Sequence, residues 1–133
     1  MSRENVEIVR RIYAEWERGN FLGTSEFFAP DIHVVWIDPI IVPAGETHGL
    51  NELRETVLDF LRTWEDLTAT PEQILDAEHE VVCLSVWRAR GQASGVPVEY
   101  HQANVWTCVD GRVTRLVNYG DPEKGLEAAG LAK

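Results

Sequence analysis

Two amphipathic helical stretches, followed by a succession of strands joined by tight turns, predict an α+β fold. In it a curved antiparallel sheet is covered on one face by N-terminal helices and closes as a cone around one apolar pocket. The helical stretches begin near Ser2 and Leu50, and strands fill most of residues 66–119. No strand–helix–strand alternation, internal repeat, low-complexity tract or linker interrupts the chain, so residues 1–133 are expected to form one domain.

Each element has a local reason. Ser2 is a candidate N-cap with Glu4 in the first turn. Val6, Val9, Tyr13 and Trp16 recur at helical spacing until Gly19-Asn20 stops the helix. A short helix carrying Phe27 and Phe28 is expected to end at Pro30-Asp31, and residues 32–37 read as a β-branched strand ended by Asp38-Pro39. Residues 39–49, with Pro43, Gly45 and Gly49, read as a loop. The second long helix presents Leu50, Leu53, Val57, Leu61 and Trp64 on one stripe, with Phe60 beside it. Strands follow at 66–76, where Pro71 signals an edge or a bend, then at 80–92, 98–109 and 112–119. Asp110-Gly111 between the last two is a hairpin turn. Asp121 and Pro122 open a terminal helical segment as cap and first residue.

Composition removes several function classes. The formal charge is −10 and no basic stripe is present, which argues against a nucleic-acid partner. No apolar run approaches the roughly 20 residues of a membrane span. The N-terminus lacks the apolar core of a signal peptide, so a cytoplasmic location is expected. Cys83 and Cys108 lie in apolar runs without a CxxC partner or a histidine at metal-ligand spacing, and read as buried free thiols. His33, His48 and His79 fall at strand, loop and turn positions and read as solvated or capping residues. No metal site and no cofactor are expected.

The chain resembles the SnoaL-like branch of the nuclear transport factor 2-like superfamily. The resemblance rests on Glu4-Asn5-Val6, Ile12-Tyr13-Ala14-Glu15-Trp16, Gly19-Asn20, Ala29-Pro30-Asp31 and Gly49-Leu50. It continues through Val105-Trp106-Thr107, Asp110-Gly111-Arg112-Val113, and Tyr119 followed by Asp121. It spans essentially the whole chain. It implies a pocket between the sheet's concave face and the first two helices, a hydrophobic small-molecule ligand, and a homodimer built through the outer sheet face. That scaffold hosts cyclases, isomerases, epoxide hydrolases, dehydratases and silent binding domains, so it does not by itself choose an activity.

Beside ketosteroid isomerases, three positions match. Tyr13 stands where a helix tyrosine donates to an enolate oxygen, Asp38 of Asp38-Pro39 where the proton-moving base stands, and Asn104 where a second donor, an aspartic acid, is usual. Asparagine departs from that pattern, yet its NH₂ still donates. The resemblance thus implies a cofactor-free isomerase or aldol-type cyclase that abstracts a proton next to a carbonyl and stabilises the oxyanion. A non-catalytic binding domain is the alternative, and epoxide hydrolase-like or dehydratase chemistry a second one. Each residue also has a plainer role: Tyr13 as a packed core side chain, Asp38 as a turn former, Asn104 as a cross-sheet hydrogen-bonding group.

Alternation in the 98–109 strand sets Tyr100, Gln102, Asn104 and Trp106 on one face and Glu99, His101, Ala103, Val105 and Thr107 on the other. Trp16, Trp36, Phe60, Gln102, Trp106, Asn118 and Tyr119 are the expected ligand contacts. His101, expected to face outward, is the runner-up base. Asp121 is a second runner-up, though it reads first as a helix cap. Asn118 falls where epoxide hydrolases of this fold carry an aspartate, but no Arg/Asp pair completes that site.

Overall fold

The computed structural model describes residues 2–39 and 44–131. The side chain of Ser2 and the residue Pro43, named above as cap and loop former, lie outside the described residues. Helix α1 (Ser2–Glu17) buries Val9, Ile12 and Tyr13 against the sheet, with Val6, Ile8 and Trp16 partly buried beside them. It stops at Gly19, whose φ of 82° is left-handed. The amides of Gly19 and Asn20 there return to the carbonyls of Trp16 and Glu15, both at 2.9 Å.

The next segment departs from expectation. Only Ser25–Phe27 form a 3₁₀ turn, and strand β1 already runs from Phe28 to Ile37. Phe28, Ala29 and Ile32 are buried, so apolar contact with the sheet overrides the turn signal of Pro30-Asp31. The expected loop before the second helix contains a four-residue edge strand, β2 (Gly45–His48), paired antiparallel to β1. Helix α2 (Gly49–Thr63) follows directly. Trp64, expected on its apolar stripe, is instead the first residue of strand β3 (Trp64–Asp76).

Strands β4 (Val81–Gly91), β5 (Pro97–Val109) and β6 (Arg112–Tyr119) complete a six-stranded sheet in the order β2-β1-β6-β5-β4-β3. The meander is antiparallel as expected, but β1 lies parallel to β6. Pro71 sits on the edge strand β3 at a register shift, where its missing N–H is harmless. Among the described residues no helix is long and apolar enough to cross a membrane.

Two helices share the inner face unequally. α1 packs on β3 and β4, and α2 on β1, β2 and the start of β3. No residue of α2 is fully buried, although its stripe is apolar. The stripe faces a gap above β5 and β6, and that gap is the cavity described below.

The opposite face carries a second apolar cluster of Val82, Ala103, Val105 and Val117. Leu126 and Ala129, in and just beyond helix α3 (Pro122–Ala128), pack onto it. A short helix of the same chain therefore covers the centre of the outer face through which a homodimer is expected. The close fit depends on Gly125, where an added Cβ would collide with the Ala103 Cβ. We expect Gly125→Ala to cost about 1–3 kcal/mol, as overpacking does, read as a lower midpoint in urea denaturation with α3 loosened from β5.

Candidate functional site

Strand register assembles the site. On the inner face Asn104 of β5 sits between Cys83 of β4 and Asn118 of β6, and Asn118 in turn sits beside Trp36 of β1. One step along, Gln102 pairs with Ser85, and beyond it Tyr100 with Trp87. A row of amides and hydroxyls therefore crosses the middle of an otherwise apolar face.

Asn104 is its hub. Its Oδ1 accepts from the Tyr13 hydroxyl at 2.7 Å and from the Ser85 hydroxyl at 2.6 Å. Its Nδ2 donates to Gln102 Oε1 at 2.9 Å and to Asn118 Oδ1 at 2.8 Å. The direction of each bond is fixed by chemistry. Ser85 Oγ already accepts from the Trp87 indole N–H at 2.9 Å, so its own proton turns to Asn104. The Tyr13 hydroxyl stays neutral, because burial, and then the adjacent Cys83 sulfur, push its pKa well above the usual value. With two donors on its oxygen, Asn104 presents its NH₂ to the carbonyl oxygens of Gln102 and Asn118. The NH₂ ends of those two side chains are left pointing away from the hub, without a partner among the described residues. The Trp106 indole N–H leans on the Tyr13 hydroxyl but reaches no acceptor in hydrogen-bond geometry.

Above this floor lies a cavity of about 230 Å³. Trp16, Phe21, Trp87 and Tyr100 wall one side, with ring centroids 5.7 Å apart for Trp16–Trp87 and 6.5 Å for Trp87–Tyr100. Leu53 and Val57 of α2, and the edge-to-face pair Trp36–Phe60 at 6.2 Å, wall the other. Gln102 and Asn118 both reach the lining. Arg54 and Tyr100 are its ionisable groups, and burial raises the Tyr100 hydroxyl. No carboxylate or imidazole lines the cavity among the described residues.

The residues singled out from sequence distribute as follows. Trp16, Trp36, Phe60, Gln102 and Asn118 line the cavity. Trp106 is fully buried behind it, with its ring 5.7 Å from both Tyr13 and Trp16. Tyr119 lies on the outer face, under α3. Tyr13 and Asn104 meet each other, but in the layer beneath the lining. Asp38 is brought to neither. Its side chain is 66% exposed and its Oδ2 accepts from Lys124 Nζ at 3.1 Å. Its neighbour Pro39 does reach the cavity wall. Asp38 has a left-handed φ of 49°, and the chain end is held by Gly120, whose amide donates to the Ile37 carbonyl at 2.8 Å. His101 faces outward, 3.6 Å from Glu72, and Asp121 caps α3 by accepting from the Glu123 amide at 3.0 Å.

Phe21, Trp87 and Arg54 line the cavity with no signal of it in the sequence. Phe21 follows a helix stop, where no periodicity points, and Trp87 is aimed inward only by its pairing with Tyr100. His33 and His48 read as scattered in the sequence, yet stand side by side in the sheet.

Two expectations follow from the hub. Tyr13→Phe keeps the ring and leaves Ser85 on the Asn104 oxygen, so it should cost about 0.5–1.5 kcal/mol. Asn104→Leu strips partners from four polar groups at once and should cost roughly 3–5 kcal/mol. Denaturant titration of both variants checks the ratio, and equal losses would contradict a hub at Asn104. Burial raises Cys83 to about 12 and Cys108 to about 11. Both thiols should therefore resist a disulfide reagent at pH 8 in the native protein and react once it is unfolded.

Comparison with known proteins agrees with this architecture. An uncharacterized protein of Mycobacterium tuberculosis (strain ATCC 25618 / H37Rv) is 28% identical over 120 residues, which span 89% of this chain and 90% of that one. An NTF2-like protein of unknown function from Burkholderia pseudomallei K96243 superposes with a TM-score of 0.79 at 19% identity, over 93% of this chain and 95% of its own. A protein with a ketosteroid isomerase-like fold from Catenulispora acidiphila DSM 44928, crystallised with trimethylamine, gives 0.74 at 18% identity, over 94% and 93%. These structural likenesses show the fold. The family model of the SnoaL-like domain matches residues 9–116, and on that match the chain belongs to the SnoaL-like domain family.

Proposed function

We propose that the cavity binds a compact hydrophobic molecule carrying a carbonyl oxygen, which accepts hydrogen bonds from the side-chain amides of Gln102 and Asn118. The observation that carries this reading is the pair of NH₂ groups at the lining, each held at its other end by Asn104. A hydrocarbon packed against these donors would bury them without a partner, at a cost of about 1–3 kcal/mol each, so a ligand with an acceptor oxygen there is favoured. The aromatic walls supply the apolar burial. A volume of about 230 Å³ is below the ~300–1,000 Å³ of pockets that enclose drug-sized ligands, which favours a small one- or two-ring molecule.

A second reading adds chemistry: a cofactor-free isomerase or aldol-type cyclase in which Asp38 removes a proton next to the bound carbonyl. What supports it is that Pro39, the residue next to Asp38 in sequence, lines the cavity. In this reading Asp38 leaves Lys124 and turns inward, and Gln102 and Asn118 donate to the developing oxyanion. Tyr13 and Asn104 then act as positioning residues behind them. A base so placed contributes roughly 10²–10⁴-fold. Epoxide hydrolase-like or dehydratase chemistry has no comparable support, since no carboxylate lines the cavity among the described residues. Association of two copies through the outer face remains part of the proposal, resting on the half-buried Val35, Leu75 and Leu84 around α3. Two buried thiols without a disulfide are in keeping with a cytoplasmic setting.

The test uses α-tetralone and the hydrocarbon tetralin, followed through quenching of tryptophan fluorescence. The ketone should bind about tenfold more tightly, and Asn118→Leu should erase that preference while leaving tetralin binding in place. Equal affinity for the two probes would sink the carbonyl assignment. Exchange of the ketone's α-protons with deuterated solvent, followed by NMR, then separates the readings. Exchange that is fast with the native chain and lost in Asp38→Asn supports catalysis, whereas binding without exchange leaves the binding module.

A further inference from the structure

The outer face at the β1–β2 edge holds a second cluster, unrelated to the cavity. β1 and β2 pair so that His33 stands directly across from His48, and Glu46, two residues before His48, shares their face. The imidazole rings are stacked with centroids 4.5 Å apart and planes 12° from parallel. His33 Nε2 lies 3.0 Å and His48 Nε2 2.9 Å from the same oxygen, Glu46 Oε1. Two nitrogens therefore aim at one point, and a carboxylate sits on it.

We propose that His33, Glu46 and His48 form a binding site for one divalent transition-metal ion of the zinc type. The three ligand atoms lie within 4.8 Å of one another. Metal bonds of about 2.0–2.2 Å at tetrahedral angles set ligand atoms roughly 3.4 Å apart, so the two nitrogen–oxygen pairs, now at 3.0 and 2.9 Å, open slightly to admit the ion between them. Side-chain rotation suffices, because His33, Glu46 and His48 are 29%, 52% and 64% exposed and none is locked in the core. Two imidazoles and one carboxylate suit Zn²⁺, Cu²⁺ or Ni²⁺, whereas Mg²⁺ and Ca²⁺ prefer oxygen alone. Three protein ligands leave at least one position open to water.

The surroundings favour a cation on balance. Glu46 contributes a carboxylate directly to the site. The chain is also strongly acidic. Arg115 of β6, paired with His33, brings a charge that opposes the ion. No described residue accepts from the far nitrogens of the two rings, so the site lacks the outer partners that tighten structural zinc centres. An ion here would fasten the short edge strand to β1 and pin the entry to α2, which begins at Gly49.

The experiment titrates Zn²⁺ into the chelator-treated, untagged full chain by calorimetry. One saturable equivalent is expected for the native chain, with a higher Tm in its presence. His48→Ala and His33→Asn should each weaken binding by about tenfold or more, since even outer partners of metal ligands cost 10–100-fold. His79→Ala and His101→Ala should leave it unchanged. Circular dichroism confirms that each variant is folded, and the exposed His48 makes its variant the decisive one. No saturable binding by the native chain, undiminished binding in folded His48→Ala, or Ca²⁺ binding as tight as Zn²⁺ would each overturn the site. Ketone binding in the cavity is read separately, so failure here leaves that proposal untouched.

Discussion

A primary carboxamide has two N–H donors and one oxygen with two lone pairs, and Asn104 uses all four in a space closed to water. Each bond leads to a different place: to α1 through Tyr13, to β4 through Ser85, along β5 through Gln102, and to β6 through Asn118. The amide therefore ties the first helix to three strands. It also sets polarity. Two hydroxyl protons on its oxygen leave its NH₂ no other direction, which in turn decides which end of Gln102 and of Asn118 meets the cavity. An aspartate at this position would offer acceptors where Gln102 and Asn118 need donors. The departure from the ketosteroid isomerase pattern is thus built into the whole floor.

The cavity is the space that two helices leave when they divide one sheet face. An apolar helix face normally seeks burial, and a half-buried stripe such as that of α2 is a packing shortfall. Here the shortfall is confined to one place, where Trp16, Phe21, Trp87 and Tyr100 hold the wall by contacts with one another. The stable core lies elsewhere. Val9, Ile12, Ile32, Val113 and Trp106 are fully buried on the same face, and α3 seals the centre of the other. The molecule keeps an open apolar site because its stability does not rest on filling it.

Register explains why parts of the site were hidden. A two-residue turn at Asp110-Gly111 would, continued evenly, set Asn104 opposite Val117 and turn Asn118 to the outer face. A shift between Thr107 and Cys108 moves the pairing by one residue, so Asn104 meets Asn118. Nothing in the local residues announces that bulge. The same holds for His33 and His48, fifteen positions apart, which become neighbours only because an unforeseen edge strand pairs back onto β1. Asp38 shows the opposite case. Its turn chemistry was readable from Asp38-Pro39, but its partner Lys124 comes from the far end of the chain.

By itself the sequence determined what short-range physics controls. Helical periodicity placed α1 and α2, β-branched runs and the Asp110-Gly111 turn placed the meander, and Asp121-Pro122 placed the start of α3. Alternation along β5 put Tyr100, Gln102, Asn104 and Trp106 on one face. Family motifs along nearly the whole chain pointed to the architecture. Only the tertiary structure decided which of those inward residues touch the cavity and which lie beneath it, where Asp38 sits, and that α3 covers the outer face. The physical reason is that periodicity assigns a side chain to a face, while depth, partner and hydrogen-bond direction depend on what packs there from distant parts of the chain.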